Sequence, residues 1–110
     1  MERIEFEVQG SSPEPYRVIF ELEGTTLNAF CDCPAGKKRQ YCKHRFGIMR
    51  GEEKGVVSNN IQQVAIIPSW LPGTDVESAL SQLAKAEHEF SEAKKRVSGA
   101  KRDLARAMHS

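Results

Sequence analysis

Three cysteines and one histidine, Cys31, Cys33, Cys42 and His44, fall within fourteen residues as C-x-C-x8-C-x-H, and the chain has no other cysteine. Thiolate sulfur and imidazole nitrogen are soft to borderline donors. Three of the first with one of the second form a standard set for a tetrahedral zinc ion held at about 2.0–2.3 Å. The donors come as two pairs, each with one residue between its members. On an extended chain residues i and i+2 face the same way, so Cys31 and Cys33 suit the end of a strand. On an α-helix the same spacing turns about 200° around the axis, which rules out Cys42 and His44 as joint mid-helix ligands. The spacing therefore predicts Cys42 in the loop before a helix and His44 in its first turn, with the positive helix end toward the thiolates.

The surrounding residues supply the elements this site needs. Tyr16, Val18, Phe20 and Leu22 alternate with Arg17, Ile19, Glu21 and Glu23, the period of a half-buried strand. Gly24-Thr25-Thr26 reads as a turn, and Leu27-Asn28-Ala29-Phe30 as the returning strand that delivers Cys31. The run from His44 to Arg50 reads as the helix, with Gly51 as its stop. Ile4, Phe6 and Val8 alternate with charged residues and predict a further N-terminal strand, joined through Gly10-Ser11-Ser12-Pro13-Glu14-Pro15. The expected fold class is α+β: a small zinc-stabilised ββα finger with an extra strand, followed by a long heptad-repeat helix. A unit of this size buries little apolar surface, so one zinc ion per chain is expected to stabilise it and its removal to disorder it.

Phe30-Cys31-Asp32-Cys33-Pro34-Ala35-Gly36, followed by Cys42-Lys43-His44 and an apolar helix start, closely resembles the SWIM zinc finger, whose pattern is C-x-C, a variable spacer, then C-x-H on a ββα core. The resemblance covers roughly residues 16–51. It implies a zinc-binding module used in DNA-handling or protein-interaction contexts, with no catalytic activity of its own. The CDGSH-type iron–sulfur domains also use three cysteines and one histidine and give an alternative, a [2Fe–2S] electron-transfer protein. Their histidine follows the last cysteine at i+4 after Asp-Gly, whereas here position 46 is Phe and Lys43-His44 stands in place of Asp-Gly.

The expected organisation is a finger over 1–51, a connector over 52–73 and a long helix over 74–108. In the connector, Ile61, Val64 and Ala65 have helical spacing after Ser58-Asn59-Asn60, and Ile66-Ile67-Pro68-Ser69-Trp70-Leu71-Pro72-Gly73 is expected to break any helix. Trp70, the only tryptophan, is expected to dock the connector on the sheet, with a partner-binding hot spot as the alternative. Thr74 and Glu77 form a capping box after Pro72-Gly73. Beyond it, Val76, Leu83, Phe90, Val97 and Leu104 recur every seven residues, and Ala79, Ala86, Ala93, Ala100 and Ala107 follow three positions later. A strict seven-residue repeat held for nearly five heptads is the mark of a coiled-coil seam. Self-association as a homodimer through this seam is expected. The alternative is a helix folded back on the rest of the chain, covering only its first half.

Charge narrows the function classes. The net charge is +1, but residues 1–30 hold six acids against Arg3 and Arg17, while residues 31–55 hold seven basic residues against Asp32, Glu52 and Glu53. Three thiolates and one zinc ion lower the total by one, so attraction of the whole chain to phosphate is weak. The best nucleic-acid candidate is local: Lys37, Lys38 and Arg39 in the spacer loop, with Tyr41 to stack on a base and Lys43 and Arg45 beside the metal. The competing reading is a solvated loop whose cations offset thiolate charge. Catalysis finds little support. All three cysteines are committed to metal, four protein ligands leave no open position, and His88 and His109 lie off the seam.

The expected partners are a second copy of the chain, DNA or RNA, or another protein that grips the helix or the Trp70 region. The N-terminus lacks the apolar core of a signal peptide and no run approaches a membrane span. With an odd cysteine count, that predicts a reducing intracellular setting, cytoplasm, nucleoid or nucleus, and no membrane partner.

Overall fold

The computed structural model describes residues 1–109 and has the expected α+β architecture, a three-stranded antiparallel sheet followed by short helices and one long helix. Strands β1 (Glu2–Val8), β2 (Tyr16–Glu23) and β3 (Thr26–Cys31) lie in the order β1-β2-β3. The register sets Phe6 opposite Val18 and Val18 opposite Cys31. Because side chains alternate along a strand, this register gathers Phe6, Val8, Val18, Phe20, Leu27 and Cys31 on one buried face. Phe6, Val18 and Phe20 are fully enclosed, and the two phenyl rings meet edge to face with centroids 6.2 Å apart. The other face carries Arg3, Glu5 and Arg17, where Glu5 bridges both arginines.

Two short helices follow the sheet. Helix α1 (Pro34–Lys37) occupies the start of the spacer, where the sequence pattern predicts a loop. Its cause is local. Cys33 sits at the N-cap with its sulfur accepting the Gly36 N–H at 3.2 Å, and Pro34 takes the first helical position, where a missing N–H costs nothing. Helix α2 (Lys43–Met49) starts from Cys42 as N-cap and buries Ile48 and Met49, and Gly51 (φ +83°) ends it as expected.

The connector departs most from expectation. Residues 55–60 pair with the free edge of β1: Gln9 N–H donates to the Gly55 carbonyl at 2.8 Å, Val57 N–H to Glu7 O at 2.9 Å, and Asn60 Nδ2 to Glu5 O at 2.8 Å. The edge is thereby covered rather than left as a template for another chain. A 3-10 turn (Ile61–Ala65) then leads into helix α3 (Ile66–Trp70), so the stretch expected to break any helix is helical. Pro68 is its third residue, inside the first turn, where proline is tolerated. The anchors of the connector are Val64 and Ile67, both fully buried, whereas Trp70 is only half-buried.

Helix α4 spans Asp75–Ala107, 33 residues, and runs unbroken through Gly99. Its start uses the predicted capping box with a shift of one position. Thr74 Oγ1 accepts the Glu77 N–H at 3.3 Å, while Glu77 Oε1 accepts the N–H of Gly73 at 3.2 Å rather than that of Thr74. The chain divides into two units, Met1–Glu77 and Ser78–Ser110, so the connector belongs with the sheet. No helix among the described residues is long and apolar enough to cross a membrane.

Candidate metal centre

Strand β3 ends with Cys31 facing the core side. The chain stays extended through Asp32, so Cys33 returns to the same side, as the i, i+2 spacing requires. Asp32 turns outward and extends the sheet by one rung: its N–H donates to Arg17 O at 3.2 Å and its Oδ1 accepts the Arg17 N–H at 2.8 Å. That clamp fixes the segment that carries both cysteines. From the other side, α2 presents Cys42 at its N-cap and His44 in its first turn.

The four donor atoms lie within 4.8 Å of one another. Cys33 Sγ and Cys42 Sγ are 3.4 Å apart, Cys31 Sγ and His44 Nδ1 3.7 Å, and Cys42 Sγ and His44 Nδ1 3.6 Å. A tetrahedron with metal–sulfur bonds of about 2.3 Å and metal–nitrogen bonds of about 2.05 Å has edges of about 3.8 Å between sulfurs and about 3.6 Å between sulfur and nitrogen. The three edges given lie within about 0.4 Å of those figures, no edge exceeds 4.8 Å, and all three cysteines are free thiols. His44 aims Nδ1 at the cluster. Its Nε2 is buried with no hydrogen-bond partner among the described residues, and Tyr16 packs on the ring at 5.2 Å.

The electrostatics bear on what the cluster can hold. Burial pushes the Cys31 thiol far up, and the neighbouring Cys33 and Cys42 sulfurs add to the rise. Burial also pushes Cys42 up, but the Arg45 backbone N–H and the neighbouring thiols outweigh it and hold Cys42 below the ordinary range. Burial, with Lys43 behind it, holds His44 low and neutral, the form that ligates metal. Three sulfurs at 2–6 % exposure repel one another's charge unless a cation sits between them. The donor set, its spacing and its burial are compatible with a metal-binding site.

Gly36 is essential to this arrangement, yet in the sequence it stands out only as the last residue of the SWIM-like run. A Cβ there would fall 2.2 Å from the Cys31 carbonyl oxygen, so α1 packs on β3 through a bare backbone. Helix α1 closes with a Schellman motif, Gln40 N–H to Ala35 O and Arg39 N–H to Gly36 O, both 3.0 Å, which puts Arg39 at φ +57°, where glycine is usual.

The candidate nucleic-acid residues divide. Lys37, Lys38, Arg39 and Lys43 are exposed. Arg45 is not free: its guanidinium donates to the Ala29 carbonyl at 3.2 Å and to the Gln40 carbonyl, tying the spacer to β3. Tyr41 is 60 % exposed but leans on Phe46 with centroids 4.4 Å apart. Beside the cluster, Arg17, Phe30, Lys37 and Arg39 border an open groove of about 700 Å³, with Phe30 50 % exposed. Phe30 was legible as an outward aromatic, since the inward alternation of Leu27, Ala29 and Cys31 leaves it on the opposite face. Along α4 none of the seam residues is buried. Val76, Leu83 and Ala93 are half-exposed, Ala79, Ala86 and Ala100 are exposed, and Phe90, Val97 and Leu104 are 65 %, 54 % and 60 % exposed.

Comparisons with protein-family models, with curated proteins and with solved structures give no match to this chain.

Proposed function

We propose that this chain is a non-catalytic zinc-binding module of SWIM type that holds one structural zinc ion and contacts nucleic acid through the basic surface beside it. The observation that carries the metal reading is the convergence of three sulfurs and His44 Nδ1 within 4.8 Å of one another. A set of three thiolates and one imidazole favours zinc. Four protein ligands close the coordination sphere, which suits a structural ion and leaves no position for substrate. The compactness of the set also favours a single ion, because two sulfide-bridged irons hold their ligand pairs further apart.

The nucleic-acid reading rests on Lys37, Lys38, Arg39 and Lys43, all exposed, next to a groove that presents Arg17 and the half-exposed Phe30 ring. Cations track phosphates and an open aromatic face stacks bases. Phe30 replaces Tyr41 as the stronger stacking candidate, since the Tyr41 ring already leans on Phe46.

Elemental analysis of the reduced protein tests the first half, with one colourless zinc per chain expected; a metal-free protein or a coloured cluster refutes it. Binding of a single-stranded oligonucleotide as a function of salt tests the second. Replacing Lys37, Lys38 and Arg39 by Gln should flatten the slope of log K against log salt by about 0.7 for each phosphate that is no longer neutralised. Indifference to salt and to those substitutions leaves the second reading, a protein adaptor, which the open apolar seam of α4 favours.

A further inference from the structure

We infer that helix α4 pairs with a second copy of itself, antiparallel and in one register, set by alanines under large side chains and by four charges on the flanks. This stands on the helix alone and is independent of the metal and nucleic-acid readings. Two observations drive it. Phe90, Val97 and Leu104 are more than half exposed along one stripe of a 33-residue helix that buries nothing. Glu87, Glu89 and Arg96, which flank that stripe, form no ion pair within the chain among the described residues, while Lys94 lies 5.4 Å from the Phe90 ring centre.

The direction follows from the seam. In a parallel pair each seam residue meets its own copy, so Phe90 would face the partner's Phe90 and alanine would face alanine, alternating crowded and empty layers. In an antiparallel pair the two seam positions face each other, and every large residue lies over a partner alanine. Phe90 covers the partner's Ala93, and Leu83 covers the partner's Ala100. Such layers have even volume and let the axes approach to about 8 Å, the close end of helix packing.

The register follows from the flanks. With Phe90 over the partner's Ala93, Glu87 faces the partner's Lys94 and Glu89 faces the partner's Arg96. Symmetry repeats both, giving four attractive pairs and no repulsive one. Sliding one heptad one way sets Glu87 against the partner's Glu87 and Glu89 against the partner's Glu89. Sliding the other way sets Lys94 against the partner's Lys94 and Arg96 against the partner's Arg96. Only the central register overlaps the full helices without like charges, and charge pairing of this kind fixes register more than raw affinity. The parallel alternative puts Arg96 beside the partner's Lys101. In the antiparallel pair the two helix starts lie about 50 Å apart, the length of 33 residues at about 1.5 Å each.

The test uses the full chain in sedimentation equilibrium, with helicity followed by circular dichroism. The natural chain should reach twice its monomer mass. Glu87→Lys should weaken the dimer about tenfold, because it makes two repulsive pairs, and Lys94→Glu should do the same. The double variant Glu87→Lys with Lys94→Glu should return to within about threefold of the natural dissociation constant. In a parallel dimer Glu87 faces only the partner's Gln82, so Glu87→Lys would be silent and the double variant would stay as weak as Lys94→Glu. A monomeric natural chain at high concentration, a silent Glu87→Lys, or a double variant no tighter than its parents overturns the proposal. An unchanged helical spectrum in all variants separates loss of pairing from loss of helix.

Discussion

Replacing Gly36 by Ala sets two physical effects against each other, and the structure decides which wins. Gly36 lies in α1 at an ordinary helical φ, so propensity alone makes Gly36→Ala stabilising by about 0.5–1 kcal/mol. The new methyl, however, would sit 2.2 Å from the Cys31 carbonyl oxygen, 2.8 Å from its carbon and 2.9 Å from its Cβ. An ordinary carbon–oxygen contact is about 3.3 Å, so α1 and the end of β3 must separate by about 1 Å. The Cys31 backbone belongs to the sheet, held by the Asp32–Arg17 clamp, and cannot yield cheaply. Helix α1 must move instead, taking its N-cap Cys33 with it. Metal sites tolerate about 0.2 Å in ligand distance, so a shift of about 1 Å costs either a ligand bond or overpacking strain of about 2–3 kcal/mol. The expected result is a loss of zinc affinity of about 30- to 140-fold, at 1.4 kcal/mol per factor of ten. Competition with a chromophoric chelator at pH 7 measures it. Gly51→Ala is the control: it strains a positive-φ position, with only Pro68 Cγ near at 3.5 Å, and leaves the cluster alone. If Gly36→Ala holds zinc within twofold of the natural chain, the coupling of α1 packing to the site is refuted.

Three further outcomes are expected. Ile67→Ala should lower stability by about 2–5 kcal/mol in urea unfolding and Trp70→Ala by less, because Ile67 is fully enclosed and Trp70 only half-buried; the reverse order would restore tryptophan as the anchor. Arg39→Gly should raise the midpoint of thermal unfolding by relieving a left-handed backbone worth about 1 kcal/mol; an unchanged or lower midpoint refutes the strain. Glu5 is held below the ordinary glutamate range, first by the Arg17 hydrogen bond and then by the Arg17 and Arg3 charges, against slight burial. A depressed folded-state pKa gives stability that is present above the unfolded value and lost as pH falls through the folded one. The stability gap between the natural chain and Glu5→Gln should therefore close as pH drops from about 6 to about 3, and a constant gap would show that the pair contributes nothing.

How far the sequence carries depends on the range of the interactions involved. The strands were legible because alternation is local: Val18 and Phe20 declare their face without reference to any partner. The placement of Cys42 before a helix and His44 in its first turn was legible because i, i+2 spacing forbids the alternative. The long helix was legible from its repeat and from Thr74 with Glu77. The pairing of residues 55–60 with β1 was not, since it joins segments about fifty residues apart, as in the Glu7 N–H to Ser58 Oγ bond. Helix α1 escapes a sequence reading because four residues carry no periodicity; what defines it is a cysteine sulfur acting as cap and an arginine in a glycine conformation. Pro68 misleads because proline breaks a helix only beyond its first turn, and where that turn begins depends on Val64 and Ile67 finding the core. The need for glycine at 36 is invisible without knowing that Cys31 lies beneath it.

Helices of four and seven residues fall well short of the roughly 12–15 that isolated helices need in water. Each begins on a candidate ligand, Cys33 for α1 and Cys42 for α2, so a metal ion gripping those sulfurs would fix both helix starts against β3. The two differ in what else holds them. Helix α2 also buries Ile48 and Met49, whereas α1 buries no whole residue and is held by its caps, by the Gly36 backbone against Cys31 and by the Arg45 tie to Gln40. The spacer with Lys37, Lys38 and Arg39 is therefore the part of the unit whose shape depends most directly on the cluster. Metal occupancy would then be coupled to the geometry of the basic surface. A contact made through those side chains would weaken when the ion is removed.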